Sequence, residues 1–243
     1  MKAQFEATGE VLVVTGGTSG IGHALAAAYV RAGGIAHVFG TKADPELAPG
    51  LIHHRVDVAD REAVVAAISG IAASEGRIDA LVAAAAVQPR TPVSAMDPEE
   101  WRRTLDVNLH GVMWAVQAVL PTMIAARRGS ILAFSSGLAN VGHAEASAYA
   151  ASKGALTPYI KSLAAEIAEH HVRANIVFPG VIDTPQFRQA NPAGGELEHW
   201  QNSLGVGVPD DVVGPLMFLL SDAASMTGSV LTRDRVFGVS DNG

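Results

Sequence analysis

The sequence predicts an α/β fold built on a doubly wound, mostly parallel seven-stranded sheet flanked by helices. Three observations carry that expectation. Short apolar runs alternate with longer helix-like stretches, the runs are continuously apolar, and the first of them ends in a glycine-rich turn that opens a helix. A continuous apolar run suits a strand covered on both faces. Strand–helix alternation is the pattern of parallel crossover units.

The elements follow in order. Val11–Thr15 reads as a buried strand and Ile21–Ala32 as a helix. Ile35–Phe39 and Leu51–Val56 are the next strands, and Arg61–Ser74 is a helix with Asp60 as its N-cap. Ala80–Ala85 is the fourth strand, and a long helical region runs from about Pro98 to Ala126. Ser130–Ser135 is the fifth strand, Ser147–His170 a long helix and Arg173–Phe178 the sixth strand. Pro158 should remove one hydrogen bond from that helix and kink it. Shorter helices are expected at Gly195–Ser203 and Asp210–Leu220, with a closing strand at Ser229–Arg233. No repeat or linker divides the 243 residues, so 1–243 is expected to form one domain, with a small lid at about 183–208.

Composition excludes several classes. Hydrophobic residues make up 49% and charged residues 17%, which is globular. A formal net charge of −7 argues against nucleic acid, which needs a basic footprint. The absence of cysteine removes disulfides, thiolate catalysis and zinc–cysteine sites. His53-His54 and His170-His171 are adjacent pairs whose side chains diverge, so no metal site is expected. No signal-peptide pattern and no apolar run near the roughly 18 residues of a membrane span is visible, so a cytoplasmic protein without a membrane partner is expected.

Two constellations carry chemistry. The first strand runs into Thr15-Gly16-Gly17-Thr18-Ser19-Gly20-Ile21-Gly22 and then a helix. Glycines let such a turn approach a pyrophosphate, whose charge then meets a helix N-terminus. The spacing is not the literal G-x-G-x-x-G, and an ordinary glycine-rich turn would look alike. The second constellation is Tyr149 and Lys153, four apart and so on one helix face. A neighbouring ammonium favours the tyrosinate and makes the phenol a better acid/base near neutrality. An exposed Tyr and Lys on a helix is the plain alternative.

Taken in order, these pieces resemble the short-chain dehydrogenase/reductase family over nearly the whole chain. The matching residues are the Thr-Gly-x-x-x-Gly-Ile-Gly turn, Asp57-Val58, Asn108, Ser136, Tyr149-x-x-x-Lys153, and Pro179-Gly180 with Thr184. The resemblance implies a Rossmann-type domain and hydride transfer between NAD(P)(H) and a small carbonyl or alcohol substrate. It implies that Tyr149 is the general acid/base and that Ser136, thirteen residues earlier, holds the substrate oxygen. Lys153 would bind the nicotinamide ribose, and Asn108 would hold a water in a proton relay. Cofactor contacts would come from Gly16, Thr18, Ser19, Gly20 and Ile21, from Asp57 and Val58 at the adenine, and from Ala84 near the adenosine ribose. Pro179, Gly180, Ile182 and Thr184 would serve the nicotinamide end. Gln88, Asn140 and Gln186 occupy pocket positions by family order, and His143 lies between Ser136 and Tyr149.

The chain departs from the family in two places. Ala83-Ala84-Ala85-Ala86 stands where the family has Asn-Asn-Ala-Gly, so side-chain hydrogen bonds are lost there. Arg235 and Val236 replace the two glycines of the C-terminal Val-Asp-Gly-Gly, while Asp234 is kept.

In dinucleotide folds an acidic residue about 20 positions after the glycine turn reads the ribose 2′-hydroxyl. That count lands on Gly40, followed by Thr41 and Lys42, which suit a phosphate; Asp44 is a later rival. NADP(H) is therefore expected over NAD(H). Val112–Val119 is apolar nearly all round, which fits a homotetramer, or a dimer if the altered C-terminus has removed one interface. The competing function is a nucleotide-binding regulator or scaffold that has lost catalysis, which oxidation of NAD(P)H with a panel of ketones and quinones would separate. A dehydratase or epimerase would need a larger C-terminal substrate domain. The lid mixes Phe187, Arg188, Glu196, His199 and Trp200, which suits a moderately polar small molecule.

Overall fold

The computed structural model describes residues 3–192, 195–203 and 205–233. Asp234, Arg235, Val236 and the side chain of Glu196 lie outside the described residues. The strands are β1 (Val11–Thr15), β2 (Ile35–Gly40), β3 (Leu51–Arg55), β4 (Ala80–Ala83), β5 (Gly129–Phe134), β6 (Val172–Phe178) and β7 (Val230–Thr232). They form one sheet in the order β3-β2-β1-β4-β5-β6-β7, with every pairing parallel. The order reverses between β1 and β4, and the C-terminal ends of strands at such a point open a crevice.

The central strands are continuously apolar because both faces are covered. Along β1, Val11 and Val13 face a core shared with α2 (Arg61–Glu75), α4 (Gly111–Ala126) and α7 (Leu156–Ile167). Leu12 and Val14 face a second core packed by α1 (Gly20–Arg31) and α10 (Asp210–Leu220). Period-two alternation on a buried strand puts both sets under apolar cover. The edges differ: β3 is half-buried and β7 is exposed, so the continuous-run expectation holds for the centre of the sheet and not for its rims.

Several boundaries move for physical reasons. The fourth strand stops at Ala83 because the next two residues turn to meet the glycine loop: Ala84 N donates to Thr15 O at 3.0 Å and Ala85 N to Thr15 Oγ1 at 3.4 Å. Asp60 does cap α2, accepting from Ala63 N at 3.0 Å. The long middle helix is continuous from Pro98 to Ala126, but Asp106–His110 between α3 (Pro98–Leu105) and α4 is a π-type turn. That helix is long and apolar enough to cross a membrane by length and composition, although no single apolar run suggested it; Val112, Ala115, Val116, Val119 and Met123 turn inward to the core. The expected helix 147–170 breaks at Ala155 into α6 (Ser147–Gly154) and α7, then tightens into a 3₁₀ turn at Ala168–His170. Pro158 offers no N–H to the carbonyl one turn back, so the break falls where the proline rule puts it. Two short helices had no periodic signature: α5 (Leu138–Val141) and α8 (Pro185–Ala190). The expected α9 (Gly195–Ser203) and α10 are present.

β2 and β3 bring together a pair of histidines that are not adjacent in sequence. His37 Nδ1 lies 2.9 Å from His54 Nε2, and His37 Nε2 lies 3.3 Å from Glu75 Oε1. Burial lowers both His37 and His54 from 6.5, with Glu75 pulling His37 back up and the neighbouring imidazoles pushing His54 further down. Groups whose pKa is lowered in the fold bind fewer protons there than in the unfolded chain below pH 6.5. Stability contributed by this pair is therefore present above that pH and is lost as pH falls through it. A His37→Leu/His54→Leu variant should show a smaller drop in melting temperature between pH 7 and 5 than the parent. An equal drop, measured by thermal denaturation, would assign acid sensitivity to other groups.

Candidate active site

The glycine turn is shaped by close backbone approach. Gly16 has φ +69°, and a Cβ there would lie 2.6 Å from Ala85 N, so no other residue fits without moving the end of β4. α1 then starts at Gly20 with Ser19 as N-cap, and no side chain caps its first N–H groups. Those donors and the positive end of the helix face the crevice and suit a pyrophosphate.

The crevice is a cleft of about 1000 Å³. At one end it is lined by Thr41 and Lys42, in the middle by Gly16, Thr18, Ser19, Gly20, Ile21 and Ala84, and at the other end by Ser136, Tyr149, Lys153, Pro179, Gly180, Ile182 and Thr184. Gln88, Asn140 and Gln186 line it too. A dinucleotide fits this arrangement, because an uncapped helix end and a glycine cradle sit midway along an elongated cleft. Gly40, Asp57, Val58 and Asn108 are not in its walls. Asp57 accepts from Ala59 N at 3.0 Å and pairs with Arg103 at 2.8 Å. Val58 is buried against Gly111, so closely that a Cβ on that glycine would lie 2.8 Å from Val58 Cγ2.

Tyr149 and Lys153 share one face of α6 and are both buried. The Tyr149 side chain shares the cleft wall with Ser136, whose Oγ accepts from Leu138 N at 3.2 Å. Lys153 Nζ donates to Phe134 O at 2.8 Å and lies 6.0 Å from the Tyr149 ring centroid. Ser135 Oγ donates to Lys153 O at 2.9 Å, so the other serine of the adjacent pair serves the backbone of α6. Burial raises the phenol of Tyr149, while Ser136 and the Arg90 guanidinium pull it down. The sequence expectation that the lysine would lower it is outweighed by desolvation, since the ammonium is turned to a carbonyl. Burial also pushes Lys153 down to about 8.

Asn108 sits in the π-type turn, fully buried. Its amide accepts from Val87 N at 2.8 Å and donates to Val87 O at 2.9 Å and Ser152 Oγ at 3.0 Å. Ser152 Oγ in turn donates to Tyr149 O at 2.7 Å. The side chain thus ties the loop after β4 to α6. Thr184 is the N-cap of α8, its Oγ1 accepting from Phe187 N at 3.2 Å.

Three cleft arginines were not singled out from the sequence: Arg90, Arg103 and Arg233. Arg90 reaches His143 Nδ1 at 2.8 Å and Asn191 Oδ1 at 3.3 Å, joining three loops. His143 itself is outside the cleft walls. No periodicity or motif marks these residues: Arg90 and Arg233 come from loop and strand ends, and Arg103 comes from α3, held by Asp57.

Fold and cleft together define a dinucleotide-binding enzyme of the Rossmann type. A family model described as short chain dehydrogenase matches residues 10–194. The D-threitol dehydrogenase of Mycolicibacterium smegmatis is 36% identical over 91% of this chain and 90% of its own length. The 3-oxoacyl-acyl-carrier-protein reductase FabG of Thermotoga maritima is 34% identical over 93% of this chain and 96% of its own. A solved Beutenbergia cavernae protein described as an NAD(P)-dependent gluconate 5-dehydrogenase, with NADP bound at low occupancy, superposes with a TM-score of 0.87. It is 31% identical and the match covers 96% of this chain and 98% of that one. The chain belongs to the short-chain dehydrogenase family, and it is an NAD(P)-dependent oxidoreductase acting on alcohol or carbonyl groups.

The buried lysine has a measurable cost. Its pKa of about 8 in the fold lies below the ordinary 10.5, so the unfolded chain binds the extra proton between those values. Stability attributable to Lys153 is therefore lowest below about pH 8 and rises with pH through that window. A shift of this size corresponds to a penalty on the order of 3 kcal/mol at most. Lys153→Met should raise the melting temperature of the cofactor-free protein at pH 7, with the gap narrowing by pH 10. A variant that melts lower at pH 7 would mean that the Phe134 carbonyl bond outweighs desolvation.

Proposed function

We propose that the protein interconverts a small, moderately polar alcohol and its carbonyl partner, with Tyr149 as general acid/base. The observation that carries this reading is the convergence of Ser136 with the buried Tyr149 and Lys153 in one wall of the cleft. A bound nicotinamide supplies or accepts the hydride. Ser136 holds the substrate oxygen, and Tyr149 delivers a proton to it in reduction or removes one in oxidation. Lys153 holds the nicotinamide ribose and keeps positive charge near the phenol. Asn108 braces α6 and supports the proton path. Residues 183–208 act as the lid, with Phe187 and Trp200 facing the cleft.

NADP(H) is the favoured cofactor. Support comes from Gly40, which offers no carboxylate at the end of β2, and from Thr41 and Lys42 in the cleft wall.

Two outcomes follow. Tyr149→Phe should abolish turnover while leaving cofactor affinity nearly intact, and Ser136→Ala should lower kcat on the order of 10²-fold. Retention of most of kcat by Tyr149→Phe, in steady-state assays beside cofactor titrations, would sink the assignment. In alcohol oxidation kcat/KM should rise with pH, because the phenol must lose its proton and burial holds it above its ordinary value.

The assembly we favour is a homotetramer. α4 turns one side to the core, with Trp114 and Leu120 packed at its rim and only partly buried, and Met113 is partly buried without packing on it. Such a face needs a second partner. Light scattering at micromolar concentration should give four copies. A dimer would mean that one interface is missing, and a monomer would overturn the reading.

A further inference from the structure

The end of β2 holds a cation that sequence spacing does not reveal. β2 and β3 pair in parallel with Gly40 opposite Arg55, and Val56 N donates to Gly40 O at 3.0 Å. Arg55 Nε then donates to Thr41 O at 3.2 Å. A guanidinium 14 positions away in sequence is thereby fastened beside Thr41 and Lys42. In dinucleotide folds this strand end is where the adenosine ribose is read.

The same place is closed to an acidic side chain. A Cβ on Gly40 would lie 2.6 Å from both Cγ2 and Oγ1 of Thr18, and 3.1 Å from its Cβ. The position from which a carboxylate would accept the ribose hydroxyls is thus filled by Thr18, itself in the cleft wall. Nearby carboxylates do not take over. Asp57 is engaged by Arg103 and Ala59 N. Asp44 and Arg55 both lie outside the cleft walls, but Arg55 is bonded to the wall residue Thr41, and Asp44 has no such bond among the described residues. Neither Arg55 nor Lys42 has an ion-pair partner among the described residues. Two cations and two threonine hydroxyls around one strand end, with the carboxylate position blocked, match a phosphate dianion better than a pair of hydroxyls.

We infer that Arg55, acting with Lys42 and the Thr18 hydroxyl, is a specificity-determining residue that binds the 2′-phosphate of NADP(H). The inference rests on the NADP(H) reading above and adds the residue that enforces it. The Arg55 Nε–Thr41 O bond holds the guanidinium in place, leaving its terminal nitrogens to engage phosphate oxygens.

The test uses adenosine 2′,5′-bisphosphate and adenosine 5′-phosphate as probes, titrated by calorimetry into the parent, Arg55→Gln, Arg55→Lys and Lys42→Gln. The ratio of kcat/KM for NADPH and NADH is measured in parallel, and thermal melting checks that each variant is folded. The parent should bind the bisphosphate at least about tenfold tighter than the monophosphate. Arg55→Gln should weaken the bisphosphate by about tenfold, as expected for a lost charge-assisted hydrogen bond, while the monophosphate changes less than about twofold. Arg55→Lys should keep part of the discrimination. If the parent prefers NADH and binds both probes equally, the NADP(H) reading falls and the inference with it. If the parent prefers NADPH but Arg55→Gln leaves the probe ratio unchanged, or weakens both probes alike, the assignment of Arg55 alone is overturned.

Discussion

The contact between the glycine turn and the end of β4 sets the geometry on which the cleft depends. Gly16 leaves no room for a Cβ against Ala85, and Thr15 accepts from the backbone of both Ala84 and Ala85. These contacts are made by main chain, apart from the Thr15 hydroxyl. That explains how the Ala83-Ala86 run can stand where relatives carry polar side chains without opening the sheet. The polar anchoring of this loop comes instead from Asn108, whose amide pairs with both backbone groups of Val87. Its third bond goes to Ser152 on α6. One asparagine thus connects the nucleotide side of the crevice to the helix that carries Tyr149 and Lys153.

Placing that pair under cover is unfavourable for both groups. Burial raises the phenol and lowers the ammonium, so each shifts toward its neutral form. The surroundings compensate in part through Phe134 O for the lysine and Ser136 for the tyrosine. α6 is tied to the site through Ser135 and Asn108, while α7 packs on the apolar core.

Much of this was legible in the sequence, because strand periodicity and motif order are local. The central strands appear within a residue or two, and the turn, Ser136, Tyr149 and Lys153 converge on one cleft. What escaped depends on distance in sequence. Arg55 reaches Thr41 only through the register of two parallel strands, and Thr18 blocks Gly40 only through the fold of the turn. The π-type turn at Asp106–His110 is invisible to helical periodicity, which continues through it. The expected influence of Lys153 on Tyr149 assumed that proximity decides, whereas desolvation of both groups is the larger effect.

The two ends of the cleft are built differently, and this bears on how far sequence can specify chemistry. The end holding Ser136, Tyr149 and Lys153 stands on the residues that follow β5 and on α6, with Ser136 Oγ accepting from Leu138 N and Lys153 Nζ donating to Phe134 O. Rigid elements of that kind hold a reacting group to within fractions of an ångström. Beside that end three loops meet through Arg90, a cleft-wall residue, with His143 and Asn191, and Thr91 N donates to Glu145 O next to them. A change in any one loop re-aims the others without touching the acid/base pair. In the function proposed above, proton chemistry would rest on secondary structure and substrate choice on loop–loop contacts, which have no period and no motif to read.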